Sequence, residues 1–124
     1  MTRSTHFRFI AGIALVLSFI FSSSRIISAH AILVEATPPI DSTVRGPDVV
    51  VKLRFNSRID HSRSRLSLVL PDGKLTPLKI DDPLAPDTLS AHATDLKTGP
   101  YRIRWQVLAT DGHITRGDVP FKVS

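Results

Sequence analysis

Three features of this 124-residue sequence predict an all-β sandwich of about seven short antiparallel strands. Several stretches alternate apolar and polar residues with a period of two, as half-buried strands do. Pro, Gly and Asp fill the breaks between them. After residue 29 no segment carries the 3.6-residue apolar period of a helix.

Taken in order, Ile32 to Ala36 reads as a first strand, closed by Thr37-Pro38-Pro39. Asp41 to Asp48, with Gly46-Pro47, reads as a loop. Val49, Val51, Leu53 and Phe55 then share one face, against Val50, Lys52 and Arg54 on the other. Leu66, Leu68 and Leu70 alternate with Ser67 and Val69. Pro71-Asp72-Gly73 is a strong turn, from which Leu75 to Ile80 can return as a hairpin arm. Asp81 to Pro86 is a connection rich in Pro and Asp, Thr88 to Thr94 a weaker strand, and Lys97 to Pro100 another turn. Tyr101, Ile103, Trp105 and Val107 alternate with Arg102, Arg104 and Gln106, and Val119, Phe121 and Val123 form the last strand. One wet and one buried face per strand is the pattern of two sheets packed face to face. Trp105 shares its face with Ile103 and Val107, which places it in the core rather than on a carbohydrate-stacking surface.

The first 29 residues follow other rules. Arg3 and Arg8 precede an uncharged apolar run, Phe9 to Phe21, and small residues lead to Ser28-Ala29. A positive start, a short apolar run and a small residue at the end describe a secretory signal peptide. The run is short of the ~20 residues that a membrane span needs, and an uncleaved anchor is the alternative. Residues 1–29 are therefore expected to be a signal peptide and residues 30–124 one domain, which has room for one sandwich but not for two cores. Thirteen of the sixteen Lys and Arg residues and all eleven acids follow residue 29, a balance of +2. Bases that alternate with apolar residues make a solvated strand face, so no nucleic-acid partner is expected. The chain has no cysteine, so neither a disulfide nor a thiolate ligand is available.

Two places carry candidate chemistry. Cleavage after Ala29 would make His30 the first residue, whose α-amine and ring Nδ1 can chelate one ion. Asp111-Gly112-His113 lies between the last two strands, where Gly112 permits a tight turn. Both places can lie at one pole of a sandwich. Three nitrogens and a carboxylate oxygen suit the tetragonal preference of Cu(II); Zn(II) accepts the same atoms but prefers a tetrahedral cage. A histidine at a signal junction can be incidental, and Asp-Gly is commonly only a turn. His61, in what reads as an exposed loop, and His92, on a strand with no acid near in sequence, are expected to be surface or outer groups.

The segment His30-Ala31-Ile32-Leu33-Val34-Glu35-Ala36-Thr37-Pro38-Pro39 resembles the mature start of the CopC/PcoC copper-resistance family. Gly99 to Trp105, Thr110-Asp111-Gly112-His113, Gly117 and Phe121-Lys122-Val123 resemble its tail, and Val49 to Asn56 its second strand. The likeness spans the chain after residue 29 and is most specific at its two ends. It implies an immunoglobulin-like β-sandwich in the periplasm or outside the cell, binding Cu(II) through His30, Asp111 and His113; the expected setting is the periplasm and the expected state a monomer. It also implies a role in copper resistance or homeostasis as a chaperone or scavenger, without enzymatic activity, and a separate CopD-type membrane protein as partner. Some relatives hold Cu(I) in a Met-rich loop; Met1 is the only methionine here, so that site is not expected. Ala29-His30-Ala31 is itself a small-x-small cleavage pattern, and a cut after Ala31 would discard His30; the resemblance favours the cut after Ala29. Two alternatives remain: a metal-free immunoglobulin-like interaction module, and an oxidative copper enzyme built on a histidine brace.

Overall fold

The computed structural model describes residues 30–124, so the expected signal peptide lies outside the described residues. The described residues form eight strands: β1 (Leu33–Thr37), β2 (Ser42–Val44), β3 (Val49–Phe55), β4 (Ile59–Val69), β5 (Leu75–Leu78), β6 (Thr88–Ala93), β7 (Gly99–Ala109) and β8 (Ile114–Val123). They build a three-stranded sheet, β1-β3-β6, and a five-stranded sheet, β2-β8-β7-β4-β5. The result is an immunoglobulin-like β-sandwich.

The alternating residues pack as their period dictates. Val51, Leu53 and Phe55 of β3 and Leu89 and Ala91 of β6 point inward from one sheet. Leu66 and Leu68 of β4, Ile103, Trp105 and Val107 of β7, and Val119 and Phe121 of β8 meet them from the other. Trp105 is 7% exposed and sits edge-on to Phe55 at a centroid distance of 5.2 Å, which joins the sheets through the core. The Tyr101 hydroxyl donates to the carbonyl of Lys97 at 2.8 Å and pins the start of β7 to the preceding loop.

Four local readings differ from expectation. The loop expected over Asp41 to Asp48 contains β2, which pairs parallel with β8 through Ser42↔Phe121 and Val44↔Val123. A three-residue strand held by a distant partner leaves little local pattern, so the strands number eight and one pair is parallel. Asp60-His61-Ser62, read as an exposed loop, belongs to β4. Polar residues hide that strand because its register against β7 breaks between Asp60 and Arg65, and the Ser64 hydroxyl bonds the Asp60 carbonyl at 2.6 Å across the irregularity. The turn expected over Lys97 to Pro100 ends earlier, since Gly99 already pairs with Val123. The last strand begins at Ile114, five residues before Val119. Its inward positions there are Thr115 and Gly117, opposite Val107 and Trp105. A Cβ on Gly117 would lie 2.5 Å from the Trp105 ring, so the tryptophan fills the space an apolar side chain would otherwise take.

Candidate metal centre

His30, Asp111 and His113 meet at one pole of the sandwich, their nitrogen and carboxylate atoms within 4.8 Å of one another. Each arrives by its own route. Asp111 and His113 lie in the β7–β8 turn, closed by Ala109 N–H to the His113 carbonyl at 2.9 Å and restored in direction by Gly112 N–H to the Ala109 carbonyl at 3.0 Å. Gly112 there takes φ 85°. That left-handed backbone is one that glycine adopts without steric cost. Asp111 Oδ1 accepts the backbone N–H of His113 at 2.9 Å, an Asx turn. Its other oxygen, Oδ2, stands 3.1 Å from His113 Nδ1 and 3.7 Å from His30 Nδ1. The turn and ligand readings of Asp111 are thus compatible, because one oxygen shapes the loop and the other faces the imidazoles.

His30 is positioned by its two successors. Ala31 is 1% exposed. Its carbonyl accepts the Thr115 hydroxyl of β8 at 2.9 Å. Ile32 N–H donates to Asn56 Oδ1 at 2.8 Å, and Asn56 N–H returns a bond to the Ile32 carbonyl at 2.9 Å. The segment is therefore held by both sheets just before β1 starts, and the His30 ring lies edge-on to His113, with centroids 4.5 Å apart and planes at 78°. Sequence reasoning missed Thr115 and Asn56. Neither has a signal of its own, since one is an inward polar residue on a strand and the other a polar residue just after one.

The electrostatics favour a carboxylate that stays ionised. Backbone hydrogen bonding from His113 above all, then the His113 side chain and the charges of His113 and His30, holds the Asp111 carboxyl below its ordinary value, against partial desolvation acting the other way. Its side chain is 21% exposed, against 45% for His30 and 64% for His113, so an ion reaches the site from solvent. The donor set fits a metal. A four-coordinate ion with bonds of about 2.0 Å keeps its ligand atoms roughly 3–4 Å apart, so the cluster needs to close by about 1 Å. The ligands are nitrogen and oxygen, with no thiolate or thioether among the described residues.

Among the described residues the other two histidines, His61 and His92, stand outside this cluster. His61 is half-buried, and its Nε2–H donates to the Thr88 carbonyl at 2.8 Å, joining β4 to β6. His92 is exposed on β6, and the bend after β5 brings it an acid that is distant in sequence, with Asp81 Oδ2 at 2.9 Å from its Nδ1.

Fold and site together define a small β-sandwich with a solvent-accessible nitrogen-and-oxygen cluster that its N-terminal segment completes. Residues 33–124 match the family model described as the CopC domain, and the chain belongs to the CopC family. It is 32% identical over 103 residues to copper resistance protein C of Xanthomonas campestris pv. juglandis, covering 77% of this chain and 80% of that protein. The crystal structure of CopC from Methylosinus trichosporium OB3b superposes with a TM-score of 0.70 at 32% identity, covering 77% of this chain and 94% of that one. PcoC, a methionine-rich copper resistance protein from Escherichia coli, shares the fold at a TM-score of 0.63 and 23% identity, covering 77% of this chain and all of that one.

Proposed function

We propose that this chain is an exported Cu(II)-binding protein that acts in copper resistance or homeostasis as a chaperone or scavenger. One observation carries the reading: two imidazoles and a carboxylate converge where the chain would begin if it were cut after Ala29. That cut would free an α-amine on His30, so one residue would supply two nitrogens. His113 would add a third and Asp111 Oδ2 an oxygen. Three nitrogens and one oxygen suit the tetragonal preference of Cu(II), and the affinity order favours copper over zinc at such a site. The resemblance to copper resistance protein C supports the metal. The scarcity of sulfur supports the oxidation state, because soft Cu(I) prefers thiolate and thioether ligands. Asp111 would occupy a coordination position that an oxidative enzyme keeps open for its reaction, which favours binding over catalysis.

Residues 1–29 would be a cleavable signal peptide and the periplasm the destination. The protein would act as a monomer, handing copper to or taking it from a separate membrane protein of the CopD type.

The test begins with the intact mass of the exported protein. One equivalent of Cu(II) is then added and the EPR spectrum recorded. A mass starting at His30 with a tetragonal signal and nitrogen couplings is expected. A mass starting at Ile32, or no protein-bound signal, would sink the reading.

A further inference from the structure

The outward face of the five-stranded sheet collects more positive charge than the rest of the chain. Pairing aligns Arg65, Gln106 and Arg116 in one row, Ser67, Arg104 and Asp118 in the next, and Val69, Arg102 and Pro120 in a third, with Lys122 beyond, opposite Pro100. Arg65, Arg102, Arg104, Arg116 and Lys122 are all exposed. Asp118 is the only acid in these rows. It is shared by Arg102 at 3.3 Å and Arg104 at 3.1 Å, and one carboxylate cannot neutralise two guanidiniums. Five cations against one acid give these rows +4, while residues 30–124 as a whole carry +2. Everything else in that span therefore sums to −2, including Asp41, which flanks the patch beside Pro120 and Lys122.

We propose that this face docks the domain on an anionic phospholipid bilayer. The cations spread over a sheet surface roughly 10 by 20 Å, and the middle of the patch is Arg104, Ser67 and Gln106. A protein interface of standard kind has an apolar or aromatic core at its centre; here the centre is charged and polar, and the apolar residues, Val69, Pro100 and Pro120, line a shallow groove beside Arg102 and Lys122 at one end. An anionic lipid surface requires no such core, because it attracts each cation near it almost independently, and guanidinium forks match phosphate oxygens. The His30–Asp111–His113 cluster lies past the end of the patch, beyond Ile114 and Leu108. It would therefore sit at the rim of the contact, open to solvent and to a membrane neighbour. This inference does not depend on the metal reading.

The test is co-sedimentation of the exported protein with vesicles of phosphatidylglycerol and phosphatidylcholine, against vesicles of phosphatidylcholine alone. Binding to the anionic vesicles only, lost at about 0.5 M salt, is expected. The triple variant R65Q/R102Q/K122Q leaves Asp118 paired with Arg104. It should partition roughly a hundredfold less, at about fivefold per cation. R45Q/K74Q/K97Q removes the same charge from other exposed positions and should stay within about threefold of the parent. Thermal melts establish that both variants are folded. Equal loss in the two variants would overturn the proposal in favour of net charge alone. Failure of the parent to bind anionic vesicles at low salt would overturn it in favour of an acidic protein surface.

Discussion

At the scale of single residues, Asp111 does two jobs with two oxygens, and substitutions can separate them. Asn keeps an oxygen able to accept the His113 N–H but loses the charge that faces the imidazoles. Asp111→Asn should therefore leave the thermal midpoint of the metal-free protein nearly unchanged and weaken Cu(II) by at least about tenfold, read by competition titration. Thr115 allows a second separation. Thr115→Val removes the hydroxyl that holds the Ala31 carbonyl at nearly constant volume. One hydrogen bond is worth about 0.5–1.5 kcal/mol, so Cu(II) affinity should fall about two- to tenfold, with Thr115→Ser restoring it. If valine leaves both affinity and EPR parameters unchanged, the clip does not orient His30. Acid should release the metal, because the imidazoles and the amine must lose their protons to bind. Competition titrations at successively lower pH should therefore show Cu(II) affinity falling steadily, while the Asp111 carboxyl, held below its ordinary value, stays ionised longer.

At the scale of elements, strand β8 owes its first half to its neighbour. The Trp105 ring lies where a side chain on residue 117 would stand. Gly117→Ala should force the ring off its rotamer and cost about 1–3 kcal/mol, read as a lower urea midpoint with unchanged slope. An unchanged midpoint would mean that the sheet relaxes around the methyl group. In β4, the Ser62 hydroxyl first, then the Arg63 N–H and charge, lower the pKa of Asp60 below its ordinary 3.8, against some desolvation. A carboxyl whose folded pKa is lowered stabilises the fold above its unfolded pKa and loses that contribution as pH falls through the folded one. Asp60→Asn should therefore flatten the stability curve below about pH 4 and leave its slope at neutral pH unaltered. These two strands also show where local pattern fails. β4 is concealed by Asp60 to Arg65 and the first half of β8 by Thr115 and Gly117, because their inward positions are small or polar for reasons that lie on other strands.

At the scale of the whole molecule, the site joins the two sheets. His30 leads into β1 of the three-stranded sheet, and Asp111 and His113 lie between β7 and β8 of the five-stranded one. An ion held by all three would cross-link a sandwich that has no disulfide. Free Cu(II) at a hundred times its dissociation constant should add about 2.7 kcal/mol of stability. For a domain of this size that is a rise of roughly 10–20 °C in melting temperature. A chain starting at Ile32 also loses the buried Ala31 and its bond to Thr115, so it should melt somewhat below the metal-free parent and show no such rise with Cu(II). A rise of equal size in that chain would place the ion elsewhere.

By itself the sequence determined the fold class, most of the strands and the core, because period-two alternation and turn chemistry are local properties that a chain carries wherever it lies. His30, Asp111 and His113 were legible as candidates because their residue types and the Gly112 turn suit a metal. Tertiary structure alone decided that residues separated by some eighty positions in the chain meet within 4.8 Å, and that Thr115 and Asn56 hold the leading segment between the sheets. It also decided that β2 pairs in parallel with β8, and that scattered arginines line up on one face. Each of these is a contact between distant segments, set by how the sheets pack and register, and no local window of sequence encodes it.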